Sequence, residues 1–100
     1  MSVVRLGEMQ AAEGKTDELG DFLLSIVPII TGSEGCVSCQ LLHNQDDPTK
    51  FVMIEVWESA EFHQASVKNI PPEKLTAIRP LLGGPPSGSY YTDETVRGAS

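Results

Sequence analysis

The stretch Phe51–Trp57 constrains this chain more than any other, because it is apolar on both sides. Val52, Ile54 and Val56 alternate with Phe51, Met53, Glu55 and Trp57, and successive side chains of a strand point to opposite faces of the sheet. Such a strand needs cover above and below, whereas a sheet with helices on one side only leaves its other face wet. The sequence therefore predicts a partner for the face that the chain itself leaves bare. A second apolar run, Cys36–His43, precedes it across the polar cluster Asn44-Gln45-Asp46-Asp47-Pro48-Thr49-Lys50. Two such runs joined by Asn, Asp and Pro read as a β-hairpin.

At 100 residues the chain is one domain, taken as residues 1–96 with a loose tail at 97–100. Size scaling has it bury roughly 60–68% of its surface. The formal net charge of −7, with only seven Lys and Arg, argues against nucleic acid or an anionic membrane as partner. The start, Met-Ser-Val-Val-Arg-Leu-Gly-Glu, lacks the basic and apolar regions of a signal peptide. The most apolar segment, Phe22–Ile30, is too short to span a bilayer. A cytoplasmic location is the expectation. Cys36 and Cys39 form a C-x-x-C string, but on a regular strand they point to opposite faces, about 10 Å apart. That is too far for a disulfide, and two further ligands are missing for zinc. Both are expected to pack, and no metal site is expected.

Taken in order, Val3–Gln10 reads as a first strand. Thr16 is the expected cap of a helix with Asp17 and Glu18 in its first turn. Leu19, Phe22, Leu23, Ile26, Val27 and Ile30 fall on one stripe of that helix, and Pro28 should kink it or end it early. After the hairpin, Ser59 caps a helix from Ala60 to about Lys68. Pro71-Pro72 stop it, and Pro72 opens another helix that carries Leu75, Ile78 and Leu82 on one side. A last strand is expected at Ser89–Val96. The order is βαββααβ, a ferredoxin-like antiparallel sheet with helices on one face.

The chain at this point resembles the antibiotic biosynthesis monooxygenase family of small dimeric α+β barrels. The residues that carry the likeness are Gly35-Cys36-Val37-Ser38, Asp46-Asp47-Pro48, Phe51-Val52, Glu55, Trp57 and Ser66. Gly14-Lys15, Pro80-Leu81-Leu82 and Pro85-Pro86 also fit, so the likeness runs over about residues 3–92. It implies a homodimer whose two sheets face each other, with a pocket in each subunit between sheet and helices. Trp57 would look towards that pocket, Glu55 would share its side, and Val52, Ile54 and Val56 would meet the partner. Some relatives oxygenate quinols or polyphenols with molecular oxygen and no cofactor, others degrade haem, and many have no established activity. Haem degraders use an Asn on the first strand and a His ten residues after the Trp. Here Val3–Gln10 holds no Asn and that position is Val67, so haem chemistry is not expected.

A cofactor-free oxygenase must bind its phenol away from water, take a proton and stabilise the anion. His63 is the natural base near neutral pH, and Trp57 shapes the site beside it. Glu55, Phe51 and Met53 are the expected substrate-binding residues, and the expected substrate is a small aromatic molecule. His43 is expected at the solvated mouth of the hairpin, and Arg79 is expected to serve helix-end carbonyls. Tyr90 and Tyr91 face opposite ways, with the pocket-side one left open. The alternative function is a non-catalytic dimeric module of the same fold that holds a small ligand.

Overall fold

The turn cluster closes on its own side chains. Asn44 Oδ1 accepts the backbone N–H groups of Asp46 and Asp47, each at 2.8 Å. Asp47 Oδ1 accepts from the Thr49 hydroxyl at 2.6 Å and from its N–H at 3.1 Å. Those bonds hold the Asp47 carboxyl below its ordinary value. Asparagine and aspartate replace backbone partners in this way wherever a chain must reverse.

The computed structural model describes residues 2–95. Its elements are β1 (Val3–Gln10), α1 (Thr16–Thr31), β2 (Cys36–His43), β3 (Lys50–Trp57), α2 (Ala60–Ser66), α3 (Pro72–Ala77) and β4 (Ser87–Tyr91). Short 3₁₀ turns at Val67–Asn69 and Arg79–Leu81 follow α2 and α3. The sheet order is β2-β3-β1-β4 with every pair antiparallel, which is the expected ferredoxin-like arrangement. Leu19, Leu23, Ile26 and Ile30 of α1 meet Phe51, Met53 and Trp57 of β3 in the core, with Ala11 and Leu81 at its end. The helices thus cover the side of β3 that carries Trp57. Val52, Ile54 and Val56 face the other way with Val4, Leu6, Leu42 and Tyr91, their register neighbours on that face. Leu42 and Tyr91 there are exposed.

One glycine and two side-chain hydrogen bonds fix the helices over the sheet. Gly35 stands at φ 84° just before β2, and a Cβ there would lie 2.2 Å from Phe62 Cγ, so the turn and the seat of α2 both require glycine. The long connection to β4 is tied back by Asn69, which donates to Ser33 Oγ just beyond α1 at 3.0 Å, and by Lys74, which donates to Ser25 Oγ on α1 at 3.1 Å.

The structure departs from the sequence expectations at several points. The boundary residue of α1 is Lys15, not Thr16, and no side chain caps it. The Gly14 turn at φ 76° lets the Lys15 carbonyl accept the first helical bond, from Leu19 at 2.9 Å. Pro28 does not end α1, which continues to Thr31. Pro28 and Leu24 are both exposed, so the carbonyl freed of its donor lies on the wet side, and continuing the helix buries Ile30. The helix after Ser59 tightens to 3₁₀ at Val67; Ser59 does cap it, accepting from Phe62 N–H. Leu81 is buried in the core with Ile78 and Leu82 packed against it, while Leu75 is 44% exposed, because α3 stops at Ala77 and the 3₁₀ turn that Arg79 opens rotates the stripe. The last strand is Ser87–Tyr91, two residues earlier than expected at its start and already over at Tyr91, since Thr92, Asp93, Glu94 and Thr95 are not strand; Val96 and the tail 97–100 lie outside the described residues.

The correction with most consequence concerns the two cysteines. Cys36 pairs with Trp57 and Ser38 with Val56, so Val37 is an extra residue in β2. This bulge brings Cys36 and Cys39 to the same, helix-covered face, against the expectation of opposite faces. Both are half-buried free thiols. Burial, with Glu55 adjacent, pushes the Cys39 thiol up to about 12, which keeps it protonated and unreactive.

Candidate active site

One row of side chains crosses the helix-covered face of the sheet from edge to edge. In register it runs Cys39 on β2, Glu55 on β3, Arg5 on β1 and Tyr90 on β4. Alternation places all four on the side of Trp57, because each sits an even number of ladder steps from it. The α2 helix lays His63 across the middle of this row.

Glu55 is buried, at 8% exposure, and its Oε1 accepts the Trp57 indole N–H at 2.9 Å. His63 Nε2 stands 4.0 Å from the same oxygen, while His63 Nδ1 lies 2.6 Å from the Tyr90 hydroxyl. The imidazole also meets Trp57 and Tyr90 edge-on, with ring centroids 5.5 and 5.4 Å away. The Arg5 guanidinium lies 5.4 Å from the Tyr90 ring centroid. Trp57, Glu55, His63, Tyr90 and Arg5 therefore form one connected cluster in an otherwise apolar region.

The electrostatics follow from that burial. Glu55 has its carboxyl raised above the ordinary value by desolvation, against the pull of the Trp57 hydrogen bond and the Arg5 charge. His63 is lowered, first by burial and then by the nearby Arg5 charge. Both shifts favour neutral groups: an imidazole that keeps its lone pair in mild acid, and a carboxyl group that holds its proton longer.

The cluster borders a cleft of about 180 Å³ between sheet and helices. Met53 and Glu55 contribute from β3, Arg5, Gly7 and Met9 from β1, and Leu23, Ile26 and Ile30 from α1. His63, Ser66, Val67 and Ile70 line the α2 side, with Ile78, Pro86 and Ser87 closing the rest. An apolar cavity of about 150 Å³ holds benzene, while drug-sized ligands occupy about 300–1,000 Å³. The space suits one aromatic ring with a few substituents.

Of the residues singled out from the sequence, Met53, Glu55 and His63 line this cleft. Trp57 does not. It is fully buried and meets the cleft through two residues that line it, Glu55 and His63. Phe51 lies away from it, stacked on exposed His43 at 4.4 Å and 3° and seated under Gly20. Sequence reasoning missed Arg5 altogether and left Tyr90 undecided against Tyr91. The signal for both was register, since Arg5 falls opposite Glu55 and Tyr90 opposite Arg5 once the strands are aligned. Among the described residues no group of three or more His, Cys, Asp and Glu is arranged to hold a metal ion.

The sequence model for antibiotic biosynthesis monooxygenases matches residues 2–78, from the start of β1 to the end of α3. The chain belongs to the antibiotic biosynthesis monooxygenase family. No curated protein matches the sequence. Among solved structures, the family fold recurs in SnoaB of Streptomyces nogalater, a cofactor-independent oxygenase, at 19% identity and TM-score 0.77 over 92% of each chain. A conserved protein of Methanosarcina mazei superposes at TM-score 0.80 and 14% identity over 93% of each chain. A Pseudomonas aeruginosa protein does so at 0.79 and 20%, over 92% of this chain and 93% of that one. At such identities the superpositions establish the shared fold. No helix among the described residues is long and apolar enough to cross a membrane.

Proposed function

We propose that this family member is a cofactor-independent monooxygenase acting on a single-ring phenol or hydroquinone, and that it works as a homodimer. The observation that carries the reading is an imidazole, hydrogen-bonded on one side and backed by a carboxyl group on the other, at the edge of an apolar cleft of one-ring size. Membership of a family whose fold is shared by a cofactor-independent oxygenase adds to it.

The chemistry asks little of the protein. With Nδ1–H donating to the Tyr90 oxygen, His63 Nε2 carries the lone pair that takes the phenolic proton. The resulting phenolate gives one electron to dioxygen, and the superoxide formed recombines with the ring radical at carbon. The ring hydroperoxide then loses water to leave a quinone, so one oxygen atom enters the product and the other leaves as water. Glu55 stabilises the imidazolium while it lasts, and the apolar walls keep bulk water from the radical pair.

An oxygen electrode with a panel of hydroquinones and a chelator present tests the reading. Uptake well above the autoxidation blank, one dioxygen per quinone formed, is expected. Equal uptake with and without protein across the panel would favour a ligand-binding module instead.

The dimer rests on the bare sheet face. Val4, Leu6, Val52, Ile54 and Val56 form a continuous apolar surface on a chain that places its helices on the other side. A second copy presenting the same face would cover it by two-fold symmetry. Light scattering at micromolar concentration is expected to give twice the chain mass. Ile54→Lys, which puts a charge at the centre of that face, is expected to give the single chain mass, since burying an unpaired ammonium costs several kcal/mol. A monomeric unsubstituted protein would sink the proposal.

A further inference from the structure

Among the described residues that line the cleft, Arg5 is the only formal cation, and the oxygenase chemistry outlined above gives it no task. Its neighbours on the same face are Glu55 on one side and Tyr90 on the other. The side chain is turned towards Tyr90. A Cβ built on Gly88 would lie 2.2 Å from both terminal nitrogens of Arg5, so the guanidinium occupies the space that a side chain at position 88 would fill. Among the described residues it makes no ion pair within 4.0 Å, and Glu55 Oε1, opposite it on β3, accepts from the Trp57 indole N–H. The guanidinium thus sits half-buried at one end of an apolar slot, beside Pro86 and Ser87, with its planar fork unmatched.

We propose that Arg5 anchors an ionised carboxylate on the substrate, so that the site takes a single-ring hydroxylated aromatic acid. Arginine pairs with carboxylate through two parallel hydrogen bonds, and the pairing strengthens where water is thin. A carboxylate coplanar with its ring adds little thickness, which suits a slot between a sheet and a helix layer. The placement also suits the reaction. Arg5 and His63 each approach the Tyr90 ring, at 5.4 Å, and both line the cleft, so a ring bound there meets a cation at Arg5 and a base at His63. On a chain of net charge −7, a positive group in the cleft is what admits an anion the rest of the surface repels. The substrate class rests on the oxygenase reading for its reaction, but not for its binding.

Anaerobic calorimetric titration separates the two. The probes are gentisate, a hydroquinone bearing one ring carboxylate, and its methyl ester, which keeps both hydroxyls and loses the charge. Gentisate is expected to bind at least about tenfold more tightly, the scale of one charge-assisted pair. Arg5→Gln should erase that preference, with folding checked by circular dichroism. Gly88→Ala, which keeps the charge but displaces the guanidinium, should reduce it. Equal affinity for acid and ester, no binding of gentisate, or a preference that survives Arg5→Gln overturns the proposal. Tight, Arg5-dependent binding of gentisate without oxygen uptake would instead overturn the oxygenase reading and leave the ligand class standing.

Discussion

In His63→Ala, kcat/KM for oxygen uptake on a hydroquinone is expected to fall by about 10²–10⁴-fold, the range for a lost general base. The fold should survive, because His63 sits at the cleft edge and contributes no apolar core. The pH profile gives a sharper check. Burial and then the Arg5 charge lower His63, so the acid limb of the unsubstituted protein should lie below pH 6.5, the ordinary imidazole value. Arg5→Gln removes the second cause and leaves the first, so the limb should move up towards that value without reaching it. Stability should follow the same group. A histidine lowered in the folded state favours folding above its unfolded value, and that contribution is lost as pH falls through the folded one. An unchanged rate in His63→Ala at every pH would end its assignment as base.

The largest effect on stability is expected at Trp57. Trp57→Ala removes the largest fully buried side chain of the molecule and should cost about 3–5 kcal/mol, a large share of the 5–15 kcal/mol typical of a domain. Urea unfolding reads this as a lower midpoint at constant slope. Trp57→Phe separates packing from polarity. It keeps most of the ring but deletes the N–H that Glu55 accepts, the first of the two influences that hold the Glu55 carboxyl down against desolvation. Glu55 should then titrate higher still, which carboxyl NMR would show directly. A carboxyl raised in the folded state favours folding below its unfolded value, and that contribution is lost as pH rises through the folded one. The deficit of Trp57→Phe should therefore be larger at pH 8 than at pH 5. A deficit independent of pH would mean that the indole N–H does nothing for Glu55.

What the sequence made legible, and what it hid, divides along physical lines. The amphipathic stripe of α1 and the two-faced alternation of β3 were readable because burial imposes its period directly on residue order. The Ser59 cap and the Asn44–Lys50 turn were readable because single side chains make those bonds. Pro28 did not end α1 early because the carbonyl it leaves without a donor lies on the wet side of the helix, and residue order alone does not show which side that is. The cysteines misled because one bulge residue, Val37, inverts the facing of everything before it, and neither its neighbours nor its own type announces it. The site itself was half visible. His63, Glu55 and Met53 stood near the Trp57 landmark in the chain, but Arg5 and Tyr90 lie 85 residues apart and meet only through strand register. Trp57 and Phe51 share a face with Glu55, yet only depth decides that they sit behind or beyond the cleft.

The bulge at Val37 has a further effect, on the rim of the sheet. A four-stranded sheet has two open margins whose unpaired N–H and C=O groups invite an added strand. Here β2 is one margin, and the extra residue breaks the even spacing that a visiting strand would need. The other margin, β4, is only five residues long and carries Gly88 as its second residue. Neither offers a long flat template, so growth by lateral strand addition, the route to fibres, is blocked at both ends. The face-to-face contact proposed above differs in kind, because two copies related by a two-fold axis satisfy each other and leave nothing to extend.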